Sequence, residues 1–326
     1  MLHSCVRRLA LVLAAAGTLL VSATAAGAQN YPSGKITIIV GFAPGGIADT
    51  LARLIAQGLG ERLHQSIVVE NRGGAGGNIA AGLVARAQPD GYTLLATTTA
   101  LAINETLHKN NPFSPTDLKA IAIAASSPEA LATSPANPAN NLADFIKAMK
   151  GRTINFGSAG VGTGSHIEAE YFFKFLAKVP AQHIPFQGGA PAINATIGNQ
   201  IDLLATTLGG GAAAQIAGGK LKGLGIAADK RAAVVPNVPT YAEQGFPGFT
   251  AASWVGFFAP ARTDQKVLAT LNAAINDIIR TPEVQKRLVA IGFDPITGSQ
   301  PEADAMFGAE VDKWGKMVKA LGLSIK

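Results

Sequence analysis

Apolar and polar positions along the chain repeat with two periods. Residues 35–41 (KITIIVG) form a short apolar run of the kind that fills a buried strand. Residues 47–63 place Leu51, Leu54, Ile55 and Leu59 at helical spacing. A second strand is predicted over 66–70 and a helix over 75–87. A third strand, 92–97, follows the Pro89-Asp90-Gly91 turn. The alternation returns downstream. Strands are predicted at 153–156, 181–185, 201–206 and 221–227, with helices at 165–177 and 190–197. Strand–helix–strand units with short connections predict parallel sheets covered by helices.

The pattern changes after a strand at 254–259, where three helices are predicted. Thr263 is placed to cap the first. Thr281-Pro282-Glu283 puts a capping hydroxyl ahead of a proline at the first helical position. Ser299 and Glu302 have capping-box spacing before the last. No tandem repeat of 20–50 residues is visible. The stretches 134–141 and 235–249 read as surface connections.

Length and composition narrow this picture. The 326 residues suggest two domains, and 48% hydrophobic with 15% charged residues excludes a disordered chain. The formal net charge is +6, but the basic residues are scattered, so no nucleic-acid partner is expected. At the N-terminus Arg7 and Arg8 precede an apolar stretch, 9–21, and then Ala26-Gly27-Ala28. This is the layout of an export signal covering 1–28, cleaved before Gln29. The stretch is short for a membrane span. Cys5 is the only cysteine and precedes the apolar core instead of ending it, which argues against a lipoprotein. Disulfides and Cys/His zinc arrays are excluded. Removal of the signal leaves 25 basic against 21 acidic residues and no thiol. A bacterial periplasm suits such a chain.

Candidate chemistry lies in three glycine-rich loops, each between a strand and a helix. The first is Gly41-Phe42-Ala43-Pro44-Gly45-Gly46-Ile47-Ala48-Asp49. Its glycines leave backbone N–H groups uncovered at a helix start, a site for a carboxylate or phosphate that needs no Lys or Arg. Asp49 suits the first-turn dipole. A tight turn capped by Asp49 is the plainer reading, and spacing alone does not separate the two. The second loop runs over 157–166, where Ser158, Thr163 and Ser165 supply hydroxyls among Gly160, Gly162 and Gly164. A dinucleotide fingerprint fits poorly. Ser165 stands where its third small residue belongs, and no Asp or Glu occurs between Glu170 and Asp202 to hold a ribose. Ser165 and His166 are helix neighbours and do not face each other. No G-x-S-x-G elbow occurs. His166 reads as a packing or hydrogen-bonding residue, and no histidine has metal-site spacing. The third loop is Pro185-Phe186-Gln187-Gly188-Gly189-Ala190. Open parallel sheets bind ligands beyond the carboxyl ends of their strands. Two sheets facing each other would gather all three loops around one cleft, with Phe42 and Phe186 as apolar walls. No metal or cofactor is expected.

An ordered set of motifs extends these loops. Tyr31-Pro32 comes first, then Pro44-Gly45-Gly46-x-x-Asp49, then Val69-Glu70-Asn71-Arg72 with Gly74-Ala75-Gly76-Gly77-Asn78. Pro89 to Leu94, Gly157 to His166, and His183 to Pro191 follow. Pro236 to Thr240, Trp254-Val255-Gly256 and Phe258-Ala259-Pro260 complete it. In this order the chain resembles the Bug, or TctC-like, family of solute-binding proteins that serve tripartite tricarboxylate transporters. The resemblance runs from Tyr31 to about Trp314. It implies a two-lobed α/β fold of the type II periplasmic-binding (Venus flytrap) kind, each lobe a mainly parallel sheet covered by helices. Lobe 1 would hold 31–125 plus 253–326 and lobe 2 would hold 126–252, with crossings near 124–127 and 251–255. Closure by hinge motion is expected. By the same resemblance the ligand sites are Phe42, Ala43, Pro44, Gly45, Gly46, Ile47, Ala48 and Asp49 from the first loop. Thr98, Thr99 and Ala100 add contacts after the third strand. Ser158, Gly160, Gly162, Thr163, Ser165, His166, Phe186, Gln187, Gly188, Gly189 and Thr206 close from lobe 2.

The chain departs from the family pattern at Gly41, Ala43 and Gly73, where prolines are usual. Gly164-Ser165 replaces the more frequent Ser-Pro. These changes loosen loops but leave anion binding by backbone N–H groups intact. The expectation is therefore a monomeric receptor without catalytic activity, passing a small organic carboxylate to membrane permease subunits. Dicarboxylates, aromatic acids, amino acids and their amides remain open. Two rivals are a receptor for a sensor kinase and a secreted hydrolase using Ser158 or Ser165.

Overall fold

The computed structural model of the chain describes residues 31–325. The export signal read from Arg7, Arg8, the apolar stretch and Ala28 lies outside the described residues. Residues 31–34 end a first unit, Met1–Gly34, and contain a cis Tyr31–Pro32 peptide bond. The second unit, Lys35–Lys326, carries the fold.

The second unit begins with β1 (Ile36–Val40), α1 (Ile47–Leu63), β2 (Ile67–Asn71), α2 (Asn78–Ala85), β3 (Thr93–Thr98) and α3 (Ala100–Leu107). A long strand, β4 (Leu118–Thr133), leads to α4 (Leu142–Ala148), β5 (Ile154–Ser158), α5 (Gly164–Tyr171) and β6 (Ala181–Pro185). A π-helical turn, Phe172–Ala177, extends α5. Next come α6 (Gly189–Ile197), β7 (Leu203–Thr207), α7 (Ala212–Ala217) and β8 (Lys222–Ile226). The chain then returns through β9 (Ala252–Pro260) to α8 (Gln265–Arg280), α9 (Pro282–Ala290), β10 (Asp294–Pro295) and α10 (Gln300–Leu321).

The strands join in the order β2-β1-β3-β9-β4-β7-β5-β6, with β8 and β10 also pairing with β4. Pairs expected from βαβ units are parallel: β1 with β2 and β3, and β5 with β6 and β7. β4 and β9 add antiparallel pairings, so the sheet is mixed. β4 changes partners along its length. It follows β9 from Leu118 opposite Pro260 to Pro128 opposite Ala252, with two register shifts. From Glu129 it pairs with β7, and from Ala130 with β8. Pro128 lacks an N–H, and the ladder turns from one set of partners to the other at that residue.

Five elements escaped the hydrophobic pattern: β4, α3, α4, α7 and β10. β4 is rich in alanine and holds Pro128, both poor strand signals. It is a strand because it is buried between partners on both sides. α3 and α4 are short. α4 starts at Asn141, whose side chain accepts from Asp144 N at 2.8 Å. Two capping expectations need correction. Asp264, not Thr263, caps α8, accepting from Lys266 N at 2.8 Å. Thr281 makes no cap bond to α9 and donates back to Asp277 O instead. The Ser299–Glu302 capping box is present. The 235–249 stretch is not only surface, since Val235, Val238 and Tyr241 are buried.

The core is continuous from helix faces to sheet. Trp254, Phe258 and Phe307 pack edge to face or tilted, with ring centroids 5.1–6.1 Å apart. Both buried indoles find the same acceptor. Glu310 Oε2 takes Trp254 Nε1–H at 3.1 Å and Trp314 Nε1–H at 2.8 Å. Glu310→Ala orphans two buried donors. It is expected to cost about 3 kcal/mol of unfolding free energy, read by urea denaturation, against little change for Glu310→Gln.

Candidate ligand-binding site

Several helix starts border one cavity. Gly46 precedes α1 without a side-chain cap, so the first-turn N–H groups have no acceptor inside the helix. α6 begins the same way after Gly188, and α7 after Gly211. Uncapped first turns carry partial positive charge. α5 differs, because Thr163 caps it and accepts from His166 N at 3.3 Å. The cavity among them holds about 500 Å³ of space, including its open mouth. Thr98, Thr163, Ser165, Thr206, Thr207 and Ser253 give it hydroxyls. Phe42, Ile47, Ala48, Ala159 and Ile193 give it apolar walls, and no charged side chain lines it.

Asp49 works behind this wall. It accepts from Gly45 N at 2.9 Å, Asn71 Nδ2 at 2.9 Å and Arg53 Nε at 3.0 Å. Asn71 also donates to Phe42 O at 3.0 Å. Burial pushes the Asp49 carboxyl up. The bonds from Arg53, Gly45 and Asn71 outweigh it and hold the group below its ordinary range. Its charge stays paired with Arg53 and fixes the loop shape.

The loops meet one another across the cavity. Ala43 N donates to Gln187 O at 3.2 Å. Gly210 sits at φ +64°, and a Cβ there would lie 2.6 Å from Ile47 N. A second cavity, about 530 Å³, lies between Gly74–Gly77, Gly160, Val161, Phe186 and Gln187. Phe42 and Ala159 line both.

Two stacked histidines support the second loop, their ring centroids 3.9 Å apart. Gly162 N donates to His166 Nδ1 at 3.2 Å, so that nitrogen is unprotonated and Nε2 carries the hydrogen, facing Glu170. His183 Nε2 is 2.7 Å from Ser158 Oγ. Burial, with the charge of His183 added, pushes His166 down to about 3. Burial pushes His183 down to about 4. Both rings are neutral near pH 7. Ser158 and His183 make the contact a hydrolase would use, but Ser158 is fully buried and lines neither cavity. Among the described residues no carboxylate hydrogen-bonds His183.

Residues 51–323 match the family model described as "Tripartite tricarboxylate transporter family receptor". The chain belongs to this family. Solved structures of similar proteins agree. The periplasmic binding protein BugD is 31% identical, with a TM-score of 0.86 over 91% of this chain and 100% of its own. Rpa4515 of R. palustris, solved with adipate, is 29% identical, with a TM-score of 0.87 over 90% and 99%. MatC of Rhodopseudomonas palustris, with bound malate, is 32% identical, with a TM-score of 0.81 over 88% and 100%. The receptor is therefore a solute-binding protein with the two-lobed α/β fold of periplasmic binding proteins. Its family and neighbours bind solutes and are not enzymes. Receptors of this family are periplasmic, and among the described residues no helix is long and apolar enough to cross a membrane.

In the receptor, nine residues expected from sequence line the main cavity: Phe42, Gly46, Ile47, Ala48, Thr98, Thr163, Ser165, Gly189 and Thr206. Gly160, Phe186 and Gln187 line the second, with Phe42. The others stand outside both linings. Ala43, Gly45 and Gly188 shape the contacting loops, as does Pro44 between them. Thr99 is committed to Trp254 N at 2.9 Å. Ala100 starts α3. Ser158, Gly162 and His166 build the base of the second loop. Sequence reasoning missed Ala159, Gly164, Ile193, Thr207, Gly209, Gly210 and Ser253. The run Gly209-Gly210-Gly211 after a predicted strand was a signal of the kind already used. Ser253 carried none.

Proposed function

We propose that this receptor captures a small dicarboxylate in the main cavity and delivers it to the permease subunits of a tripartite transporter. The observation that carries the reading is the meeting of two uncapped helix starts, α1 and α6, on a cavity with hydroxyls and no charged lining. Such a site suits an anion held by backbone N–H groups, hydroxyls and bridging water. The adipate and malate held by Rpa4515 and MatC support the class. Export with cleavage after Ala28 goes with this reading. So does a division into lobes with crossings near 124–127 and 251–255, beside the point at Pro128 opposite Ala252 where β4 leaves β9 for its other partners.

A thermal-shift screen tests it. The purified protein is heated with succinate, malate, adipate, benzoate and glutamate, each beside its amide. A ligand at 100 times its Kd stabilises the native state by about 2.7 kcal/mol, a rise of roughly 5 °C or more. A rise with a diacid but not its diamide, lost in Gly46→Val, is the expected result. No rise with any carboxylate would sink the reading.

A further inference from the structure

Behind the cavity wall lies a pair of carboxyls for which ligand capture has so far given no use. Glu129, on β4 next to Pro128, and Glu168, on α5, are both fully buried. Ser253 Oγ is 2.5 Å from Glu129 Oε1, and Tyr241 OH is 2.5 Å from Glu168 Oε1. The second oxygen of each carboxyl is buried with no hydrogen-bond partner. Among the described residues no Lys or Arg pairs with either. Gly164 opens the way from the cavity to this pair, since a Cβ there would collide with both Ser253 Oγ and Glu129 Oε1. Gly164 and Ser253 line the cavity. The Ser253 hydroxyl thus stands between ligand space and the Glu129 carboxyl.

The state of Glu129 decides what that hydroxyl offers. An ionised carboxyl buried without a cation costs several kcal/mol, so the neutral acid is favoured. A neutral acid has a hydrogen to give. Placed on Oε1, that hydrogen goes to Ser253 Oγ, and the serine's own hydrogen turns to the cavity. An ionised Glu129 would instead take the serine hydrogen and leave only lone pairs facing the ligand. We propose that Ser253 contacts the ligand as a hydrogen-bond donor to a carboxylate, and that Glu129 is the positioning residue that turns its hydroxyl that way. This inference rests on the carboxylate reading above.

Burial lifts Glu129 well above the ordinary carboxyl range, against the bond from Ser253, and the charge of Glu168 adds to it. Glu168 and Tyr241 are the titratable groups that interact with it. Charged side chains on other elements around β4 are engaged elsewhere. Asp304 bonds Ala120 N, Lys222 bonds Asn137 O, and Glu310 bonds the two indoles. Asp294 on β10 is exposed. Carboxylate affinity should therefore fall as pH rises through the Glu129 titration.

The test is calorimetric titration of wild type, Ser253→Ala and Glu129→Gln at pH 6 and pH 9. The titrant is whichever of succinate, malate or adipate gives the largest thermal shift. Ser253→Ala should bind about 30-fold more weakly at pH 6. Wild type should bind more weakly on the alkaline side of the Glu129 titration, whose midpoint the infrared spectra read. Glu129→Gln, whose amide is a permanent donor to Ser253, should bind within a few-fold of wild type and keep that affinity at pH 9. Infrared spectra without ligand should show at pH 6, beside the signal of protonated Glu168, a second protonated-carboxyl component that is lost in Glu129→Gln and shifted in Ser253→Ala. Equal binding by wild type and Ser253→Ala overturns this inference while sparing carboxylate capture. A missing Glu129 infrared component, or a wild-type affinity that stays constant across the pH at which that component is lost, overturns it too. So does an amine-bearing ligand whose affinity rises with pH in wild type alone. If no acid binds wild type, both readings fall.

Discussion

Gly210→Ala is expected to weaken ligand binding about 100-fold while Gly211→Ala leaves it nearly unchanged. Both glycines have positive φ, +64° and +106°, so both substitutions carry the backbone strain of a left-handed residue. They differ in surroundings. A Cβ on Gly211 meets nothing within 4 Å. A Cβ on Gly210 would lie 2.6 Å from Ile47 N and 2.9 Å from Gly46 C. Those are backbone atoms at the start of α1 and cannot swing aside as a side chain end would. The loop after β7 must back away, or the first turn of α1 must shift. Either movement widens the cavity and withdraws N–H groups from the anion. About 2.7 kcal/mol of misfit in the liganded state is enough for 100-fold. Calorimetric Kd values for the two variants, beside melting temperatures of the unliganded proteins, separate obstruction from strain. Equal losses in both variants would mean that strain, not closure, controls binding.

The same contact shows what was legible in the sequence. The first three glycine loops could be found because each follows an apolar run and precedes a helical period. Local spacing shows that a backbone is uncovered, and the uncapped starts of α1 and α6 follow from it. Local spacing says nothing about which loop faces which. Gly210 against Ile47, and Ala43 N against Gln187 O, are set by how β4 passes between two sets of partners. β4 was illegible because alanine is a weak strand former and Pro128 suggests a break. Its strand state comes from neighbours distant in sequence. Asp49 illustrates a further limit. Its position in a first turn fits a ligand contact or a cap equally well. The distant Asn71 and the neighbouring Gly45 and Arg53 together draw it into holding the loop. Ser253 belongs to the same class, because its chemistry depends on Glu129, 124 residues away.

Two buried pairs of opposite kind should give the receptor a stability plateau between about pH 4.5 and 6.5, with losses on both sides. His166 and His183 titrate at about 3 and about 4 in the folded protein, against 6.5 as the ordinary value. Between those values the unfolded chain holds protons the folded one lacks, so the histidines remove stability as pH falls below 6.5. Glu168 is the reverse case. Burial raises it to about 8 from 4.5, and the same cause raises Glu129 well above its ordinary range. These groups remove stability as pH rises above 4.5. Each contributes a slope of about 1.4 kcal/mol per pH unit. From 4.5 to 6.5 the two slopes oppose and nearly cancel. Below 4.5 only the histidines still act, joined by carboxylates such as Asp49 that are held low when folded. Above 6.5 only the buried acids act. His183→Gln, which keeps a polar end near Ser158, should shorten the acid limb and make stability decline with pH from 4.5 upward. Glu168→Gln keeps an acceptor for Tyr241 OH. It should flatten the alkaline limb and raise stability at pH 8 by about 2 kcal/mol, net of the orphaned amide. Urea unfolding at half-unit pH steps from 3.5 to 9 resolves the two limbs and the plateau between them. A wild-type profile that rises steadily to pH 8 would show that Glu168 is ionised in the folded protein, and its burial would then need a partner not visible among these residues.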